Sequence, residues 1–279
     1  MVKFYNSCFC LFGNPVHHSF SPEIHTIFSN QININYFYKT VLVSKENLKN
    51  SIKNFFVKKY NLGANVTVPF KKEIIKYLDN LTERAKISRS VNTIKKINNK
   101  FLLGDNTDGV GLLYDLNRLN FLRKKNNILI IGSGGAAYGI VPNLISKKNL
   151  VYIYNRTNSK SKKLVKYFKK FGNIFCLKRH ELKKYYFNLV INATSSGIFN
   201  EIPDVPNSII SKNTYCYDLY FNKEKYTPFL KMCKKNGAIN LKNGIGMLVS
   251  QAAYSCFFWH KKFPNIENTI ITLNKKINL

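Results

Sequence analysis

The chain has 279 residues, 45% hydrophobic and 14% aromatic, enough for two ordinary domains with real cores, and no apolar run approaches the roughly 18 residues that cross a bilayer. Its formal charge of +30 is almost all lysine; arginine, the residue that reads and stacks on bases, stands only at Arg84, Arg89, Arg118, Arg123, Arg156 and Arg179. The six cysteines are scattered, with no C-x-x-C pair and no histidine at metal-ligand spacing, so a reducing compartment and no metal are expected.

In chain order, FYNSCFCLF reads as a first strand. The opening Met1-Val2-Lys3 looks like the start of a signal peptide, but the apolar stretch is short and closes on Gly13-Asn14-Pro15 without a cleavage site, which points to a cytoplasmic protein. Ser21-Pro22-Glu23 opens a helix with Ile24, Ile27 and Phe28 on one face. INYFYKTVLV is a second strand, Leu48, Ile52, Phe55 and Phe56 mark a second amphipathic helix, and LGANVTV is a third strand running into a helix that begins at Pro69-Phe70-Lys71. SVNTIKKI and FLLGDNTDG follow as a strand and a strand-to-loop. This is an α/β pattern with crossover helices.

GVGLLYDLNRL predicts a helix and FLRKKNN a basic linker. A second α/β unit starts at NILIIG, and its helix carries Pro142, tolerable as a kink or near the first turns. VYIYNRT, NLVINATSSG and TYCYDL are further strands. A long apolar helix from Met247 to about Trp259 precedes a short tail.

NILIIGSGGAA is a hydrophobic strand, a glycine turn and a helix start. Gly132 allows the tight turn, Gly134 lets the backbone approach a pyrophosphate, and the small Ala137 lets helix and strand pack closely. Ser133, Gly135 and Ala136 complete the loop, and the helix N-terminus offers free N–H groups to phosphates. A lone G-x-G-x-x-A is weak, but a strand before it and a second strand about 20 residues later make a dinucleotide site the reading. Where an acid would hold the ribose 2′-hydroxyl of NAD, the chain reads Asn155-Arg156-Thr157-Asn158-Ser159-Lys160. Arg156 and Lys160 can neutralise a 2′-phosphate and the others can donate to it, which favours NADP over NAD. A solvated basic loop is the bland alternative.

A dehydrogenase must move a proton as the hydride leaves. Lys71, at a helix start where the dipole disfavours its charge, and Asp108, in the polar loop GDNTDG, are the candidates. Each also has an ordinary reading, as a surface lysine and as a helix N-cap.

The segments GNPVHHSFSPEIH, GANVTVPFK, SVNTI, GDNTDGVGLL, GSGGAA, NRT, NATSSGI and GIGMLVSQAAYSCFFWH follow one another in the order and spacing of the shikimate dehydrogenase family, which the sequence resembles nearly end to end. The resemblance implies a two-domain α/β fold: a substrate domain, residues 1–107 completed by 243–279, and a Rossmann-like NADP domain, 108–242, with the active site in a cleft that can close. It also implies reversible NADP-linked oxidation of shikimate to 3-dehydroshikimate, in the pathway to chorismate and aromatic amino acids. By the same resemblance Ser19, Ser21, Thr67, Asn92 and Gln251 bind substrate, Lys71 and Asp108 form the acid–base pair, and Leu219 and Gly244 line the nicotinamide.

Two positions depart from the family. Its tyrosine three residues past the aspartate of YCYD is Phe221 here, so either Tyr220 reaches the substrate by a register shift or one neutral hydrogen bond is missing. Tyr138 stands where many relatives carry a basic residue near the cofactor phosphates. The alternatives are a quinate/shikimate enzyme that also uses NAD, a non-catalytic NADP sensor, and a nucleic-acid binder. Asn, Ile, Phe and Tyr, abundant here, share AT-rich codons, so codon drift accounts for the lysines and no specific nucleic-acid or membrane partner is expected. A homodimer is the assembly considered.

Overall fold

The computed structural model describes residues 7–145, 148–222 and 224–277. Met1 to Asn6, which include the signal-like start and the head of the first expected strand, lie outside the described residues. The chain divides into two compact units. One runs through Gly111 and takes up Val249–Leu273; the other holds Leu112–Leu248 and the residues from Asn274.

The first unit is built on strands β1 (Ser7–Gly13), β2 (Tyr36–Leu42), β3 (Asn61–Val66), β4 (Asn80–Leu81), β5 (Thr93–Ile97) and β6 (Phe101–Asp105), in the order β2-β1-β3-β5-β6-β4. The first three are mutually parallel, and β5 runs antiparallel to β3 and β6. Every residue of β1 is buried, as its unbroken apolar run requires of a parallel strand covered on both faces. Helix α1 (Ser21–Ile32) buries Ile24 and Phe28, and α2 (Leu48–Phe56) seats Leu48, Ile52, Phe55 and Phe56 against Cys10 and Phe12 of β1.

The expected helix at Lys71 does not form there. The Lys71 carbonyl accepts from the Val91 N–H at 2.7 Å, which withdraws it from any helical ladder, and only a short 3-10 helix follows, Glu73–Tyr77. Helix α3 (Glu83–Ser88), capped by Thr82, and the two-residue β4 are too short to show a period in sequence. Helix α4 (Asp108–Arg118) carries the chain into the second unit.

That unit has strands β7 (Asn127–Ile131), β8 (Leu150–Tyr154), β9 (Ile174–Cys176), β10 (Leu189–Asn192), β11 (Tyr215–Asp218) and β12 (Asn240–Lys242), ordered β9-β8-β7-β10-β11-β12 and parallel at every pairing. This is the doubly wound order, whose direction of winding reverses between β7 and β10. Its helices are α5 (Gly135–Leu144), α6 (Asn158–Phe168) and α7 (Pro228–Lys235). Pro142 lies in the last turn of α5 rather than its first; it donates no helical hydrogen bond, and the helix stops at Leu144.

Helix α8 (Ile245–His260) follows, beginning two residues before the expected Met247. The short tail expected beyond it is instead helix α9 (Ile266–Ile277), whose Ile266, Ile270, Leu273 and Ile277 are buried along one face. Among the described residues no helix is long and apolar enough to cross a membrane, and no group of three His, Cys, Asp or Glu side chains could hold a metal.

Candidate active site

In the first unit the predicted acid–base pair meets: Lys71 Nζ donates to Asp108 Oδ2 at 2.6 Å, with Asp108 only 3% exposed and Lys71 14%. A helix dipole is not what Lys71 faces, since the expected helix is missing; its neighbour is a carboxylate. Nor does Asp108 serve as an N-cap. Its own N–H donates to Asn106 Oδ1 at 3.0 Å, so Asn106 meets the helix start and leaves the Asp108 side chain for Lys71.

Asn92 ties the pair to its surroundings. Its amide Nδ2 lies 2.9 Å from Asp108 Oδ1, 2.8 Å from Thr107 Oγ1 and 3.1 Å from Gln251 Oε1, while its Oδ1 accepts from the Thr107 N–H at 2.8 Å. Four of the expected site residues, Lys71, Asn92, Asp108 and Gln251, therefore form one hydrogen-bonded cluster. Buried carboxylates and amides survive only when satisfied in this way.

Ser19 and Ser21 stand together at the N-terminus of α1. Ser19 Oγ donates to Ser21 Oγ at 3.0 Å and accepts from the Ser21 N–H at 3.2 Å. Phe20 is the N-cap and supplies no side-chain bond; the Ser21 N–H is taken by Ser19 and Pro22 has none, so what this helix end presents to an anion is two hydroxyls and the positive end of its dipole. Thr67 is half-buried directly after β3, its N–H donating to Phe12 O at 2.9 Å.

Several residues that sequence reasoning left out brace this site. Asp105, fully buried, accepts from Thr82 Oγ1 at 2.6 Å, from Arg84 Nε at 2.6 Å and from the Asn106 N–H at 2.8 Å. Asn65 Nδ2 reaches Thr93, Ser255 and the Asn92 carbonyl, and its Oδ1 accepts from Tyr38. Their signal in sequence was a polar residue inside an apolar strand, Asn65 in GANV and Asp105 at the end of FLLGD.

Beside them His25 stacks on Tyr38 at 4.1 Å and meets Tyr36 Oη through Nδ1 at 3.0 Å. Burial, reinforced by His260, pushes the His25 imidazole down to about 3; burial, with Lys95 nearby, pushes His260 down to about 4. Both remain neutral near pH 7 and serve as packing groups.

In the second unit the glycine loop follows β7 at the reversal of strand order. Gly132 has φ +112°, and a Cβ there would stand 2.9 Å from the Ala193 carbonyl of the adjoining β10 loop, so only glycine fits. Gly134 opens on empty space. It is the N-cap of α5 and makes no side-chain cap bond, so the positive end of the helix dipole faces the loop. Ser133 Oγ is buried with no partner among the described residues. A glycine at positive φ, an uncapped helix end and an orphaned hydroxyl fit a pyrophosphate, and Gly135 and Ala136 are the first residues of that helix.

After β8, Arg156, Thr157, Ser159 and Lys160 are exposed around the N-terminus of α6. Asn155 Nδ2 donates to the Thr157 carbonyl at 3.0 Å, and Asn158 Oδ1 accepts from Cys176 at 3.3 Å; these two amides order the loop. Tyr138, by contrast, is buried in the core against Phe168, so its side chain packs the domain.

At the ends of β10 and β11, Asp218 accepts from Asn192 Nδ2 (3.0 Å), the Tyr220 N–H (3.1 Å) and Thr227 Oγ1 (2.6 Å). Burial outweighs these donors and pushes its carboxyl up to about 6. Asp218 thereby sets the turn carrying Leu219 and Tyr220. The Tyr220 ring lies over Gly197, and Gly244 lies against the Leu219 carbonyl.

Residues 11–94 match the family model for the shikimate dehydrogenase substrate binding domain and residues 116–200 that for shikimate / quinate 5-dehydrogenase. A shikimate dehydrogenase (NADP(+)) from Buchnera aphidicola subsp. Cinara cedri is 48% identical over 96% of this chain and 95% of its own length. One from Buchnera aphidicola subsp. Baizongia pistaciae is 47% identical over 99% of both chains. A crystal structure of shikimate dehydrogenase in complex with NADP+ superposes with a TM-score of 0.84 at 33% identity, over 98% of this chain and 96% of that one. The chain belongs to the shikimate dehydrogenase family.

Proposed function

We propose that this protein is an NADP-dependent shikimate dehydrogenase, interconverting shikimate and 3-dehydroshikimate in the pathway to chorismate and the aromatic amino acids. The observation that carries the reading is the 2.6 Å bond between Lys71 and Asp108, fastened through Asn92 to Gln251. Oxidising a secondary alcohol removes a proton from oxygen and a hydride from carbon. NADP, when bound, accepts the hydride. The proton passes to the Lys71–Asp108 pair, where the Asp108 carboxylate balances the positive charge of the protonated lysine. Asn92 and Gln251 orient that pair and present amide groups to substrate hydroxyls. Ser19 and Ser21, at the α1 N-terminus, receive the substrate carboxylate, with Thr67 nearby in sequence to the catalytic lysine.

The glycine loop and the α5 N-terminus would hold the pyrophosphate, and Arg156 with Lys160 the 2′-phosphate. Arg156 stands where an NAD enzyme would place an acid, which disfavours the quinate/NAD reading. An intact Lys71–Asp108 pair disfavours a sensor that has lost catalysis. Steady-state rates with shikimate and with quinate, each with NADP and NAD, test the proposal. Shikimate with NADP should dominate, and a clear preference for quinate with NAD would overturn it. Lys71→Ala should lower turnover about 10²–10⁴-fold, and unchanged turnover would remove Lys71 from the acid–base role. A cytoplasmic location belongs to the same reading, supported by six unpaired cysteines. A homodimer is its proposed assembly, which sedimentation would test.

A further inference from the structure

Gly244 precedes the first turn of α8, Ile245–Met247, and lies against Leu219; Leu219 and Gly244 are the two places to which the family resemblance assigns the nicotinamide. The hold of this turn on the domain comes from two residues that the mechanism does not use. Asp115 of α4 is 1% exposed and Tyr217 of β11 fully buried. The Tyr217 hydroxyl donates to Asp115 Oδ2 at 2.6 Å and accepts from the Met247 N–H at 3.2 Å. Arg118, one turn along α4, pairs with Asp115 Oδ1 at 2.7 Å.

Gly246 closes the arrangement, because a Cβ there would stand 2.0 Å from Asp115 Oδ1; the helix start is drawn in until only glycine fits. The first turn of a helix has N–H groups that need acceptors and a positive dipole end. In α8 the Met247 N–H is met by the Tyr217 phenol reaching over from a strand, and the Ile245 N–H by Asn243 Oδ1 at 3.3 Å; Asp115 acts through the phenol.

We infer that Tyr217 and Asp115 are positioning residues for the cofactor's nicotinamide half, pinning the Gly244–Met247 turn through the Met247 N–H. Placing a buried carboxylate inside an apolar core is costly unless it is fully paired. Here it is paired by Arg118 and by Tyr217, which itself belongs to a hydrophobic cluster with Met247, Leu112 and Leu116. What the pair secures is the backbone of one turn. Burial and the neighbouring carboxylate hold the Tyr217 phenol well above its usual range, so it stays a donor to Asp115 throughout the working pH range.

The inference rests on the proposal that NADP binds this unit, and the test separates the two. Tyr217→Phe keeps the ring and removes both bonds. Dissociation constants of the full chain are measured for NADPH and for adenosine 2′,5′-bisphosphate, which has the 2′-phosphate and adenine but no nicotinamide. Loss of the neutral bond to the Met247 N–H and of the charge-assisted bond to Asp115 should weaken NADPH about 5–20-fold and leave the bisphosphate within about twofold.

Equal weakening of both ligands, or a lowered melting temperature with unchanged NADPH affinity, would make Tyr217 a purely structural residue and overturn the inference. If the unaltered protein binds neither ligand, it is the NADP reading that fails. Hydrogen exchange on the unaltered protein covers the case in which Tyr217→Phe does not fold. The Gly244–Leu248 amides should gain protection with NADPH and not with the bisphosphate; equal protection by both would refute the pin.

Discussion

Acidification should destabilise this protein through the buried His25 and the partly buried His260, and the size of the effect follows from their surroundings. His25 and His260 are held at about 3 and about 4 in the folded chain, against about 6.5 when unfolded. A lowered histidine pKa means that the unfolded chain binds the extra proton, so stability is intact above about pH 6.5 and falls as pH drops below it. At pH 5 each imidazole costs about 2 kcal/mol relative to pH 7.5, about 4 kcal/mol for the pair.

Asp218 acts with the opposite sign. Its folded carboxyl is raised to about 6, so the folded state takes up the proton first and regains about 1–1.5 kcal/mol between pH 7 and pH 5. From these three groups the net loss is about 2–3 kcal/mol, a large share of an ordinary domain's stability. Urea unfolding at pH 7.5 and pH 5.0 measures it; where the two units melt separately, the first unit's transition should carry the histidines' full loss of about 4 kcal/mol, because Asp218 belongs to the second unit. His25→Gln removes one titrating group and should flatten the slope by about 1 kcal/mol per pH unit. An unchanged slope, or a native His25 resonance titrating near pH 6.5, would refute the burial argument.

Other substitutions probe the rest of the molecule. Gly132→Ala puts a side chain at φ +112° and 2.9 Å from the Ala193 carbonyl; calorimetry should show NADPH binding lost at least tenfold while shikimate binding is retained. Arg84→Met strands the buried Asp105 carboxylate. Because the arginine is 39% exposed and Thr82 stays in place, the expected stability loss is about 2–3 kcal/mol, read from a chemical denaturation midpoint. Tyr220→Phe should raise the shikimate KM about 2–10-fold, as one neutral hydrogen bond requires; no change would leave that family contact without a counterpart here.

Sequence carried the second unit's proposed cofactor loop more fully than it carried the first unit's proposed site. The loop after β7 is written in consecutive residues, because a turn that must approach a phosphate needs glycine at fixed spacing. The proposed catalytic cluster draws Lys71, Asn92, Asp108 and Gln251 from four separate segments, and only likeness to a family brought them together before the structure did. The helix wrongly expected at Lys71 shows why. A local pattern cannot foresee that the Lys71 carbonyl is taken by the Val91 N–H from another segment, and such non-local bonds override propensity.

Helix α9 teaches the reverse lesson. Its apolar residues at 266, 270, 273 and 277 carry a helical period in plain view, yet they follow a longer and more apolar helix and read as a tail. The bracing residues were hidden for a third reason: Asp105, Asp115, Asn65 and Tyr217 act on backbone and on other side chains, and no motif marks a residue whose partner is a neighbour's N–H. Asp115 is the sharpest case. In sequence it is one acid on an amphipathic helix; in the fold it is buried, bonded to Tyr217 and pressed against Gly246. A carboxylate that has given up water to hold a turn is under a constraint that composition cannot express, and the Met247 N–H is where that constraint becomes measurable.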